Sequence, residues 1–408
     1  MEHIISHEVG IYVGLLLGAC IVGIIIKSVA HLPYTIALTL VGLVIGLFHF
    51  AEISETGFSK ELIFFVMLPP LLFQGALHLE LNRLLANFWP ICLFAVAGIV
   101  LSTFVIGVTF LYFSGVDSLL VALLFGAMMS PTDPVSVLAI FREMKVPDNL
   151  RYLVEGESLF NDGTGVVVFT IILDMIIGHS EFHAIEAVGE FIKVVAGGLA
   201  LGALLGAATF VVLRRLDDHL LENAICLVLA YGSFWVAESA HFSGVIAAVM
   251  AGLMIGNYGR RFSMSQKTTD TIETFFESID FLVNSLLFIL IGLELQTVGL
   301  ADLANNARAL TAAIIAMLVA RAVVVYPLYF ATNLVGTVRP RQWAHVLFWG
   351  GLRGSIPIAL LLGLPHNPLL DSYRTTILVA GFGIVFFSLV VQGLTMKPLL
   401  SVLNVTKS

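Results

Sequence analysis

The run Glu155-Gly156-Glu157-Ser158-Leu159-Phe160-Asn161-Asp162-Gly163 places three carboxylates, a hydroxyl and an amide in an otherwise apolar stretch. On a helix Glu157 and Asn161 stand four apart, as do Ser158 and Asp162, which makes two adjacent stripes on one face. A second run, Ser130-Pro131-Thr132-Asp133-Pro134, adds another carboxylate between two prolines. Two carboxylates beside hydroxyl and carbonyl oxygens form a hard-oxygen site. Such a site suits Na⁺ or K⁺ better than a metal that prefers thiol or imidazole. Low dielectric favours the neutral form of a carboxyl group, whereas a bound cation favours the charged form. One carboxylate then holds a proton or a cation, not both, and competition for Asp162 is the simplest chemistry for exchange. The plainer alternative is that Asp133 and Asp162 only satisfy unwound backbone.

Other charges need partners. An unpaired buried Glu157 is very costly, and Arg321 and Arg353 are the candidate counter-ions, with Arg321 favoured. Arg353 is expected to serve carbonyls freed in its own segment, Gly350-Gly351-Leu352-Arg353-Gly354-Ser355-Ile356-Pro357. Gln74, in Leu68-Pro69-Pro70-Leu71-Leu72-Phe73-Gln74-Gly75, either faces the cation path or hydrogen-bonds another helix. Gly198, Gly202 and Gly206 read as a close-packing seam. His78, His241 and His345 read as interfacial histidines or pH-sensitive groups. Cys20, Cys92 and Cys226 show no metal spacing. The chain contains no GxxxxGK[ST] loop, so ATP-driven pumping has no support.

The elements that hold these residues must lie in a membrane. Of 408 residues, 59% are apolar and 12% charged, and mean hydropathy is +1.00. A soluble domain cannot hide that much apolar surface. A cytosolic enzyme, a disulfide-stapled secreted module and a nucleic-acid binder are excluded, the last also by the net charge of −8. The start, MEHIISHE, lacks the basic leader of a cleavable signal. With roughly 20 apolar residues per span, thirteen spans are expected. They lie near 9–26, 33–50, 61–79, 89–113, 117–141, 151–178, 187–213, 221–238, 242–257, 273–296, 308–334, 342–364 and 374–402. SAHFSG separates the eighth and ninth only weakly. Of the 20 Lys and Arg, 14 fall in loops after odd-numbered spans or at the C-terminus, against 3 in loops after even-numbered ones. The positive-inside rule then puts the N-terminus outside and the C-terminus in the cytoplasm. Much of the acidic excess falls in outward loops at 52–61 and 181–190.

Prolines unwind the fifth and twelfth spans. Each is fifth in a block of six, and the seven-span offset inverts one block against the other. Interrupted helices at matching places in inverted halves point to a transporter's midplane site.

LPPLLFQGALHL, SPTDPVSVLAIF, EGESLFNDGTGVVVF, FLVNSLLFILIGLEL and WGGLRGSIPIALLLGLP resemble the NhaP/NHE-type monovalent cation:proton antiporters, in order from the third span to the twelfth. The resemblance implies an all-α, NhaA-like membrane fold of thirteen helices in two inverted six-helix repeats, and a homodimer in the cell membrane. It implies a moving core at 89–178 and 308–402, and a scaffold at 9–79 and 187–296. It further implies that Asp162 is the exchanging carboxylate. Asp133, Ser158 and the Thr132 backbone carbonyl would complete the cation site. Asn161 and Glu157 would brace it, Glu157 through an arginine. An Asn161-Asp162 pair goes with electroneutral 1:1 exchange. Gln74 stands where many members carry a carboxylate. No cofactor, ATP or nucleic acid is implied, only monovalent cations, protons and lipid. The expectation is Na⁺ (or Li⁺)/H⁺ exchange. K⁺/H⁺ exchange on the same scaffold is the alternative, and a channel or a transport-inactive sensor is a rival of another class.

Overall fold

The computed structural model describes residues 2–29, 33–47, 62–178, 184–216, 218–262, 264, 266–295, 299–335 and 339–405. The acidic loop at 52–61, residues 181–183 of the other acidic loop, and the end of the second expected span at 48–50 lie outside them. All regular structure among the described residues is helical. The helices of eight or more residues are α1 (Glu2–Val29), α2 (Tyr34–Leu47), α3 (Leu62–Leu77), α4 (Phe88–Ser114), α5 (Leu119–Met128), α6 (Val135–Glu143), α7 (Asp148–Gly178) and α8 (Ala184–Leu213). They continue with α9 (His219–Ser239), α10 (Gly244–Gly259), α11 (Gln266–Leu295), α12 (Ala307–Val335), α13 (Gln342–Trp349), α14 (Ser355–Leu362) and α15 (Arg374–Val402). Among the described residues, seven helices are each long and apolar enough to cross a bilayer. Leu17, Leu204 and Val228 are 62%, 69% and 71% exposed. Apolar outward faces of this kind belong against lipid, because water would penalise them.

Local chemistry sets the helix ends. Asp218 caps α9, its Oδ1 accepting from the Leu220 N–H at 2.9 Å. Gly115 closes α4 with φ +88, a conformation that suits glycine. The weak separator SAHFSG is a real turn: α9 stops at Ser239, His241 adopts φ +58, and the Ser243 hydroxyl caps α10.

Two packing groups follow. In one, α11 lies along α2 and also meets α1, α3 and α9, while α8 packs on α10. The Gly198–Gly202–Gly206 stripe makes that last contact, as its spacing predicts: a methyl at 202 would overlap the Ala247 carbonyl. In the other group, α4 packs on α5 and α12, α7 on α5, and α15 on α12 and α14. The chain is open at two places in this second group. Residues 129–134 separate α5 from α6, and residues 350–354 separate α13 from α14. Both openings are buried in protein, which is the condition for non-helical backbone at membrane depth.

Candidate ion-binding site

The two openings cross and bond directly. The Asp133 N–H donates to the Leu352 carbonyl at 2.8 Å. Asp133 Oδ1 accepts from the Val135 N–H at 2.9 Å, and Oδ2 from the Ser355 N–H at 3.3 Å. One carboxylate therefore caps the first turns of both α6 and α14, where helix dipoles favour negative charge. Gly354 makes this possible, since any side chain there would overlap Asp133 Oδ2.

The opposite ends are served by a cation. Arg353 is fully buried. Its Nη1 donates to the carbonyls of Ser130 and Pro131, the latter at 2.7 Å, just beyond the end of α5. Its own N–H donates to Ser388 Oγ at 2.7 Å. This corrects the expectation for Arg353: the freed carbonyls it holds belong to the other opening. Each broken helix thus supplies the charge that the other needs.

Three faces of α7 do three different jobs. Glu157, 2% exposed, accepts from Arg321 Nη1 at 2.5 Å. Arg321 also donates Nε and Nη2 to the Leu347 carbonyl on α13, at 3.1 and 2.9 Å. The favoured counter-ion is therefore the one present, and it ties α7 to α12 and α13. The absence of a side chain at Gly351 leaves room for that guanidinium. On the next face, Asn161 Oδ1 accepts from the Thr132 N–H at 3.2 Å, and Nδ2 donates to Thr132 Oγ1 at 2.7 Å. Thr132 Oγ1 also lies 3.1 Å from Ser158 Oγ. Asn161 and Ser158 hold the unwound strand beside α7. Thr164 Oγ1 anchors the same helix to the Ala95 carbonyl at 2.6 Å.

The third face, Glu155, Leu159 and Asp162, lines a cavity of about 430 Å³. Among the described residues nothing hydrogen-bonds the Asp162 carboxylate. Asp133 and Ser355 line the same cavity, with Gln74 from α3 across it. Gln74 lines the cavity, a position compatible with the first of the two roles open to it. The structure thus brings Asp133, Asp162 and Gln74 to one space. The Ser158 and Thr132 hydroxyls turn to each other beside it. Asp133 caps unwound backbone and also lines the cavity. Sequence reading missed the far wall, where α11 contributes Asp280 and Asn284. Their i,i+4 spacing is a helix-face signal, but Asp280 is the last residue of the polar run QKTTDTIETFFESID and does not stand out from it.

Such an arrangement can do one thing well. It can present an unpaired carboxylate to ions inside protein, next to a second carboxylate held by two helix ends. Among known proteins, residues 15–402 match the family described as "Sodium/hydrogen exchanger, transmembrane". The chain is 41% identical to the Na⁺/H⁺ antiporter ApNhaP of Aphanothece halophytica, over 92% of this chain and 70% of that one. It is 38% identical to the Na⁺/H⁺ antiporter NhaH of Halobacillus dabanensis, over 98% of each. Its fold is similar to that of the sodium proton antiporter MjNhaP1 of Methanocaldococcus jannaschii. The TM-score is 0.80 at 20% identity, covering 99% of this chain and 100% of that one. An all-helical membrane chain with these motifs and these relatives belongs to the sodium/hydrogen exchanger family.

Proposed function

We propose that the protein exchanges Na⁺ (or Li⁺) for H⁺, one for one and electroneutrally, with Asp162 as the shared site. The observation that carries this reading is the Asp162 carboxylate, without a hydrogen-bond partner among the described residues and lining the same cavity as Asp133 beside two crossed helix breaks. Asp162 releases its proton and takes the cation, with Asp133 beside it. Ser158 and the Thr132 carbonyl complete the oxygen set. Asn161, the Glu157–Arg321 pair and Arg353 hold that geometry. An Asp162 left charged and empty resists crossing, because a bare carboxylate in low dielectric is costly, and this couples the two fluxes.

The group built on α4–α7 and α12–α15 moves against the group built on α1–α3 and α8–α11. With odd-numbered loops in the cytoplasm, the cavity that reaches from Asp162 to His78 and Arg142 faces inward. The protein sits in the cell membrane as a homodimer, N-terminus outside. The named relatives are Na⁺/H⁺ antiporters, which favours Na⁺ over the K⁺/H⁺ alternative. The test is proton flux in proteoliposomes driven by Na⁺, Li⁺ or K⁺ gradients. Na⁺ and Li⁺ are expected to drive it and K⁺ to fail. K⁺-driven flux at the Na⁺ rate would transfer the assignment to K⁺/H⁺ exchange. Cation binding without flux would mark a sensor.

A further inference from the structure

The cavity has two walls that belong to different packing groups. Asp133, Asp162 and Ser355 stand on α6, α7, α14 and the openings between half-helices. Gln74, Asp280 and Asn284 stand on α3 and α11. Gln74 is neutral, so the carboxylates that this second wall presents are Asp280, beside it, and the exposed Glu277 one turn earlier on α11. Asp280 Oδ1 accepts from Asn284 Nδ2 at 2.9 Å, which fixes the side chain along α11. Among the described residues its other oxygen has no hydrogen-bond partner. The charged groups that line the cavity with it are Asp133, Asp162, Glu155 and Arg142 on the other wall, and Glu277 on its own helix.

Its helix cannot easily follow the core. α11 is locked to α2 at Gly42 and Gly292, where each backbone leaves no room for a side chain on the other. A charge in a cavity with low-dielectric walls concentrates counter-ions there. If the core moves and the scaffold stays, Asp162 meets the field of Asp280 only while the cavity is open on the side of His78 and Arg142.

We propose that Asp280 is a scaffold-borne cation contact that raises Na⁺ affinity on one side of the membrane only. This rests on the exchange reading above. In the transport cycle Na⁺ from that side enters between Asp280 and the two core aspartates, then leaves with Asp162 while Asp280 stays behind. The affinity that the carrier offers to its two sides is thereby unequal.

The experiment uses everted and right-side-out membrane vesicles containing the full chain, with Na⁺ added outside in each. Asp280→Asn should raise KM for Na⁺ roughly three- to tenfold, the size expected of one partly screened charge. The rise should occur in everted vesicles alone, with little change in maximal rate. Returning a carboxylate to the same wall, in the double variant Gln74→Glu/Asp280→Asn, should restore most of the lost affinity. A purely structural role for Asp280 predicts no such rescue. An unchanged KM on both faces, an equal rise on both, or no rescue overturns the proposal while leaving exchange intact. Failure of the unaltered chain to exchange at all refutes the underlying reading instead.

Discussion

Glu157 and Arg321 pair 2.5 Å apart, with side chains only 2% and 7% exposed. Removing one partner from such a pair leaves a buried charge uncompensated. Glu157→Gln or Arg321→Ala is therefore expected to cost about 3–5 kcal/mol. A thermal unfolding series in detergent checks this. Exchanging both residues for apolar ones of similar volume should recover much of the loss, and a double variant no more stable than either single one would contradict the account. This pairing was legible in the sequence because a buried charge demands an opposite charge, and few basic residues lie within spans. The partners of Arg353 were not. Ser130 and Pro131 stand more than 220 positions away in the chain, and both carbonyls are backbone groups that carry no residue-type signal. Asp280 escaped for another reason. Its segment is polar on several faces, so one carboxylate facing inward does not stand out.

At the scale of elements, the broken helices form one device. Asp133 caps α6 and α14 together, and Arg353 closes the carbonyls beyond α5. The prolines at 131, 134 and 357 announce the unwinding, because each removes a helix N–H. What they cannot announce is that the two openings touch at Asp133 and Leu352. Gly354 of the second opening acquires its meaning only from that contact. Gly354→Ala should push Asp133 off its two N–H donors, since the new methyl would overlap Oδ2. We expect at least a tenfold loss of Na⁺-driven proton flux and a lower unfolding temperature. Wild-type flux from this variant would show that the shared cap is dispensable. The close-packing seam on α8 was readable outright, because glycines four apart on a helix face specify close approach, whereas its partner α10 was not.

On the scale of the whole molecule, two packing groups meet around the cavity that holds Asp133 and Asp162. Charged residues make up 12% of the chain, and four of the buried ones have partners at the helix breaks. Asp133, Glu157, Arg321 and Arg353 hold one another or the backbone. Asp162 is left to the cavity, which is why a single exchangeable charge should cross with its cation and return with its proton. That cycle moves no net charge, so its rate should ignore the membrane potential. The central claim is tested most directly by Na⁺-driven proton flux in proteoliposomes with the potential clamped at zero, comparing the unaltered chain with Asp162→Asn. The account predicts undiminished flux under the clamp from the unaltered chain and none from the variant. Flux from Asp162→Asn at the wild-type rate would contradict it.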